Sequence, residues 1–286
     1  MSEHKINIQW FPGHMTKAKR EMEDKLKLVD LVIELRDARI VESSKNPMLD
    51  QMIKDKPRII ILSKKDKAEP EVTKAWIKHL ENETTKVIAL DILHENMTQM
   101  IVNHVQVLMK AKIDRMIKRG IKPRAMRAMV VGVPNVGKST FINRFTKRKI
   151  AQSANRPGVT RSLQWVKVNK DLELLDTPGV LWPKFEDEQV GLRLAITGAI
   201  RDEILPLDDI VLWAIDYLMH EKKDVLEQRY QITCGDTPYE TICKIAQKRG
   251  YIRNGEVDDQ RTIEMLIKEI RDDKLGPISW EKPNEM

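Results

Sequence analysis

Apolar residues are grouped in two ways along this chain, and the change comes near residue 188. Before it, short apolar runs bounded by turn signals predict strands: Leu31-Val32-Ile33-Glu34-Leu35, Arg58 to Leu62, Lys86 to Asp91, Ala128 to Val131 and Leu172 to Leu175. Between the third and fourth runs, Met97, Ile101, Val105 and Leu108 fall on one helical face, predicting a helix from Met97 to Arg119. Gly120 ends it and Pro123 follows. After residue 188 the pattern is helical. Val190, Leu194 and Ile196 open it, a second segment spans Ile210 to Leu218, a third contains Ile242, Ile245 and Ala246, and a fourth has Ile263, Leu266, Ile267 and Ile270. Turn signals at Leu205-Pro206, Gly235, Thr237-Pro238, Gly250 and Gly255 separate them. For 286 residues this predicts an N-terminal arm and helix over 1–28, an α/β core over 29–183 and an all-helical domain over 188–286.

The chemistry lies in the loops after the predicted strands. Gly132-Val133-Pro134-Asn135-Val136-Gly137-Lys138-Ser139-Thr140 matches the phosphate-loop pattern and sits between a predicted strand and a helix starting at Thr140. Glycines let such a loop turn its N–H groups from Asn135 to Thr140 onto phosphate oxygens, and the helix N-terminus adds favourable dipole. Lys138 can reach the β- and γ-phosphates, and the Ser139 hydroxyl suits Mg²⁺. Downstream, Asp176-Thr177-Pro178-Gly179 follows an apolar run; Asp176 would hold Mg²⁺ through water and the Gly179 amide could sense the γ-phosphate. Between them, Thr160 in the loop Arg156-Pro157-Gly158-Val159-Thr160 is the candidate to close over the metal as a switch residue. Together these three motifs read as the nucleotide-and-switch half of a GTPase. The base-reading half precedes them. Ser63-Lys64-Lys65-Asp66 resembles the N-K-x-D guanine motif, in which the Asp accepts two hydrogen bonds from the base edge and the Lys stem packs on its plane. Ser63 replaces the usual Asn, shortening a side chain that normally braces the phosphate loop. Leu90-Asp91 stands where a second base-contacting motif belongs.

In this order, base motifs first and phosphate loop in the middle, the chain resembles the circularly permuted GTPases. Within them it is similar to the bacterial ribosome biogenesis GTPase A (YlqF-type) proteins. The tokens are Gln9-Trp10-Phe11-Pro12-Gly13-His14-Met15, Arg36-Asp37-Ala38-Arg39, Pro134 to Ser139, and Asp176 to Gly179 with Trp182-Pro183-Lys184-Phe185. Permutation is physically cheap where natural termini lie close together, so the 97–119 helix reads as the joining element. The resemblance implies a three-layer phosphate-loop fold with a mostly parallel sheet. It also implies a GTP-hydrolysing factor that binds a late large ribosomal subunit precursor and leaves after hydrolysis. Val180 occupies the place where many GTPases carry a water-orienting Gln. The family assigns that work to the His of the N-terminal motif, here His14, whose imidazole suits it near neutral pH. Asn135 would help hold K⁺ beside the phosphates in GTPases of this kind, in addition to the Mg²⁺ expected at Ser139, Thr160 and Asp176.

Charge sharpens the choice of partner. The 50 basic and 43 acidic residues are unevenly placed: residues 1–183 carry 35 and 21, residues 184–286 carry 15 and 22. A polyanion such as rRNA is therefore expected to meet mainly the first part. The family's helical domain is described as similar to RNA-binding antitermination domains; here any such contact would need a local basic face such as Lys244, Lys248, Arg249 and Arg253. Cys234 and Cys243 lack metal or disulfide spacing and read as small core residues. The absence of a leader or long uncharged apolar run leads to a cytoplasmic expectation without a membrane role. Two rivals remain. One is a nucleotide-switched RNA-binding module with incidental hydrolysis; the other is an ATP-using phosphotransferase, against which Lys64 and Asp66 argue.

Overall fold

The computed structural model describes residues 23–53, 56–147, 164–176 and 187–283. They divide into two compact units, one of residues 187–278 and the other of the described residues before 177 with 279–283. In the first of these along the chain, the elements run β1 (Leu31–Asp37), α1 (Pro47–Ile53), β2 (Arg58–Ser63), α2 (Pro70–Leu80), β3 (Thr85–Leu90), α3 (Thr98–Lys118), β4 (Met126–Gly132), α4 (Lys138–Thr146), β5 (Gln164–Lys167) and β6 (Leu172–Asp176). The sheet order is β3-β2-β1-β4-β6-β5, parallel throughout except for β5 against β6. The phosphate-loop strand β4 thus lies mid-sheet beside β1, the first strand of the chain. That is the sheet order expected of a circularly permuted phosphate-loop fold, with α3 as the covalent joint.

Burial on both faces explains the apolar runs. One face packs Val32 and Met129 against Leu49 and Ile53 of α1. The other packs Ile60, Leu62 and Val87 against Trp76 of α2. All seven residues of β1 are buried, including Glu34, Arg36 and Asp37. The charges are neutralised in place: Arg36 Nε donates to Glu34 at 2.7 Å, and Arg58 donates to Glu34 at 3.1 Å and Asp50 at 2.6 Å.

The joint forms much as its periodicity predicts, with Ile101, Val102, Val105 and Met109 as its buried face. Leu108 is only half-buried, because the buried stripe advances by four residues from Val105 to Met109. Gly120, at φ 69°, ends the helix in a Schellman motif: Ile121 N–H donates to Met116 O and Gly120 N–H to Ile117 O, each at 2.9 Å. Asp30, just before β1, then ties the segment down. Its carboxylate accepts from Arg124 at 2.8 and 2.9 Å, from the Arg127 amide at 2.8 Å and from Lys112 of α3.

The second unit contains α5 (Glu188–Ile196), α6 (Leu207–Glu221), α7 (Lys223–Tyr230), α8 (Pro238–Arg249), the short hairpin β7 (Ile252–Arg253) and β8 (Glu256–Val257), and α9 (Asp259–Arg271). The pattern predicts four of these helices and misses α7, which buries only Leu226 and Tyr230 and so shows almost no apolar stripe. Arg271 closes the C-terminus of α5, donating to Ala195 O at 2.9 Å and Ile196 O at 3.1 Å, as expected for a cation at orphan helix carbonyls. The predicted boundary at residue 286 needs correction. The helical unit stops at Ile278, and 279–283 return to the α/β unit because Trp280 and Glu281 are buried there.

Candidate functional site

Parallel pairing brings the motifs to one edge of the sheet. Asp37 is in register with Ser63, Ser63 with Leu90, Leu35 with Gly132 and Val130 with Asp176. Loops leaving the C-terminal strand ends therefore meet at one level, where open α/β sheets bind ligands.

The phosphate loop is built by backbone geometry. Asn135 and Gly137 have φ of 56° and 103°, values that turn successive peptide N–H groups toward one side. Gly132 has no room for a side chain, since a Cβ there would lie 2.6 Å from Leu35 O. Lys138 is buried and its ammonium bridges the loop, donating to Gly132 O at 3.0 Å and Val133 O at 2.8 Å. It also opens α4, which Phe141, Ile142 and Phe145 anchor in the core; the two Phe rings stack at 5.2 Å. Ser139 and Thr140 are half-buried in the first turn of that helix, where its dipole favours an anion.

The loop that follows β2, the candidate for reading the base, is joined directly to the phosphate loop. Ser63 Oγ, fully buried, lies 2.7 Å from Val136 O and 3.0 Å from Arg36 O, so its proton bonds one carbonyl at a time. The short side chain, expected to weaken this motif, still reaches the loop. Lys64 adopts φ 57° and Lys65 to Lys67 form a single 3₁₀ turn that leaves Asp66 exposed. Lys65 pairs with Glu95. Asp91 is committed to its own turn: its carboxylate accepts from the Leu93 amide at 2.9 Å and meets His94 Nδ1 at 2.5 Å. The adjoining Ile92 packs against the phosphate loop, 3.4 Å from where a Gly137 Cβ would sit.

One buried group at this edge was legible only as a family token. Asp37 accepts from Arg39 at 2.9 and 2.8 Å and from Lys64 Nζ at 2.9 Å. Burial would raise the Asp37 pKa, but Arg39 and Lys64 overcome it and hold the carboxyl well below the usual range. Burial pushes the Lys64 pKa down, with Arg39 adding to that effect and Asp37 opposing it.

His14, Thr160, Gly179 and Val180 lie outside the described residues. Asp176 ends β6, one strand from the phosphate loop. Ser139 lies in the first turn of the helix that follows β4, and Asp176 ends the neighbouring parallel strand; hydroxyl and carboxylate are group types that a hard cation such as Mg²⁺ takes. Among the described residues no helix is long and apolar enough to cross a membrane. Cys234 is buried and Cys243 half-buried, both free thiols.

A family model described as 50S ribosome-binding GTPase matches residues 127–244. The chain is 50% identical to ribosome biogenesis GTPase A of Bacillus licheniformis over 98% of its own length and 99% of that protein. It is 48% identical to the protein of that name from Bacillus pumilus, covering 97% and 99%. Its fold is similar to GNP-bound YlqF from T. maritima, with a TM-score of 0.63 and 27% identity over 94% of this chain and 100% of that one. A GDP-bound YlqF structure matches at a TM-score of 0.65 and 26% identity, covering 93% and 100%. Near-full-length identity of this order, on a permuted sheet that gathers phosphate and base loops at one edge, makes the chain a member of the ribosome biogenesis GTPase A family, and it binds and hydrolyses GTP.

Proposed function

We propose that this GTPase acts on a late precursor of the large ribosomal subunit in the cytoplasm, binding it with GTP and leaving after hydrolysis. The reading is carried by the Ser63–Val136 bond, 2.7 Å, which couples a guanine-type loop to a phosphate loop. The relatives' names and the net positive charge of residues 1–183 supply the ribosomal half of the reading.

In this mechanism Asp66 selects guanine and the Lys64 stem packs on the base, with the Asp91 loop beside them. The phosphate-loop amides from Asn135 to Thr140 cradle the phosphates. Lys138 moves from the loop carbonyls to the β- and γ-oxygens. Ser139, Asp176 and Thr160 would hold Mg²⁺, which when bound neutralises charge developing on those oxygens. Asn135 would hold K⁺, and the Gly179 amide would meet the γ-phosphate. Water attacks the γ-phosphorus and GDP leaves, giving phosphate. Val180 offers that water no hydrogen bond, so His14 orients it once docking brings the N-terminal arm over the site.

GTP turnover in K⁺ buffer, with and without large ribosomal subunits, tests this directly. Strong stimulation by subunits is expected, lost in His14→Ala while GTP binding persists, and weaker in Na⁺. Tight GTP binding without stimulation would favour the nucleotide-switched RNA-binding module instead.

A further inference from the structure

The last described residues of the chain lie against the two loops that hold the guanine motif. Ser279, Trp280 and Glu281 are all buried in the α/β unit. The Glu281 carboxylate accepts from Ser43 Oγ at 2.6 Å, from Ser43 N–H at 3.1 Å and from the Glu42 amide. Trp280 N–H donates to Arg39 O at 2.8 Å. On the other side, Ser279 Oγ accepts from Glu69 N–H at 3.0 Å, and its own N–H donates to Glu69 Oε2 at 3.3 Å. Glu69 is the N-cap residue of α2, directly after the Ser63-to-Ala68 turn. Trp76 Nε1–H closes the contact by donating to Glu281 O at 3.4 Å.

A continuous polar path runs from this strap to the base motif. Trp280 fixes the Arg39 backbone, the Arg39 guanidinium grips Asp37 in two bonds, and Asp37 holds Lys64 Nζ at 2.9 Å. The strap thus fixes residues 39–43 and 69, and 63–68 are held between them. A Lys stem that packs on a base plane, with a neighbouring carboxylate that reads the base edge, needs its backbone fixed to a few tenths of an ångström. None of the three strap residues belongs to the phosphate loop.

We propose that the C-terminal strap Ser279–Glu281 is a positioning element of the guanine site, setting nucleotide affinity and base selectivity through the 37–44 and 63–69 loops. This rests on the reading that Lys64 and Asp66 meet the base. The experiment measures GDP and IDP affinity of the full chain for wild type, Glu281→Gln, Lys64→Met and the double variant. IDP lacks the exocyclic amine that Asp66 would read.

Glu281→Gln should weaken GDP binding roughly five- to tenfold and lower the GDP-to-IDP preference, with little further loss when added to Lys64→Met. An equal loss in both backgrounds, or an unchanged GDP-to-IDP ratio, would overturn the strap's role and leave it a stability contact. If Lys64→Met alone leaves GDP affinity intact, the underlying base-site reading fails, a different outcome from failure of the strap. Should Glu281→Gln not fold, Ser43→Ala removes one donor to the same carboxylate and should reproduce the selectivity change in smaller measure. An unchanged ratio there would count equally against the proposal.

Discussion

Strand β1 follows one buried aspartate, Asp30, and ends on another, Asp37, and the two differ in how exposed their cationic partners are. Asp30 and Asp37 each face two cationic side chains, and each is held below the ordinary Asp value by them against the opposing effect of burial. At the start of β1, the cations Lys112 and Arg124 are 41% and 45% exposed. At its end, Arg39 is 4% exposed and Lys64 26%. Asp30 therefore gathers surface cations to fasten the permutation joint. Asp37 gathers one buried and one half-buried cation to hold the loop proposed above to meet the base. One device serves covalent rearrangement of the fold at one end and positioning of its chemistry at the other, and exposure of the partners separates the two.

Removing the interior carboxylate should have the larger effect. In Asp37→Asn, Arg39 and Lys64 both lose the carboxylate they share, and Arg39 is too deeply buried to exchange it for water. Breaking a buried pair from one side costs about 3–5 kcal/mol, to be read from urea unfolding. The folded fraction should also bind GDP more weakly, because Lys64 loses its anchor. Destabilisation with unchanged GDP affinity would show that Asp37 is a purely structural group, and the contrast with Asp30 would collapse.

Asp30→Asn frees cations that can turn to solvent, so about 1–2 kcal/mol is expected, chiefly from hydrogen bonds lost to Arg124 and the Arg127 amide. GDP affinity should stay at the wild-type level. The pH dependence separates the sites further. A carboxylate whose pKa is depressed on folding contributes stability above its unfolded value, and the contribution is lost as pH falls toward the folded one. Both aspartates have depressed values, so the urea midpoint of wild type should hold to about pH 5 and fall below about pH 4. Each Asn variant should fall less steeply, Asp37→Asn least. Parallel slopes in all three proteins would contradict the assignment of this acid loss to the ends of β1.

Much of this arrangement was legible in the residues, and the exceptions have a common cause. Local patterns carried the strands 58–62 and 128–131, the joining helix with its terminal Gly120, and the phosphate loop, because periodicity and turn chemistry act over a few residues. What escaped depends on pairs distant in the chain. Glu34 and Arg36 look like interruptions of an apolar strand until Arg58, Glu42 and Asp50 are placed around them. The strap at 279–281 falls within the stretch assigned to the helical domain, since its partners lie more than 200 residues earlier.

Ser63 gives the finest test of how closely the two halves of the site are coupled. A shorter residue than the usual Asn would leave the loops apart unless the strand end moved toward Val136, and register places it there. Ser63 stands level with Asp37 on β1, whose neighbour β4 leads into the phosphate loop. Ser63→Ala removes one hydroxyl from a fully buried position without opening a cavity of consequence, leaving Val136 O without that donor. One such bond is worth about 1 kcal/mol, so GDP affinity should fall about fivefold with a similar loss of stability. Ser63→Asn restores the longer brace but must fit more atoms between Arg36 O and Val136 O, which already lie 3.0 and 2.7 Å from the hydroxyl. It should therefore bind no better than wild type. Tighter GDP binding by Ser63→Asn would mean that the short residue keeps the loops looser than their geometry implies. The phosphate loop would then be held chiefly by Gly132 and Lys138.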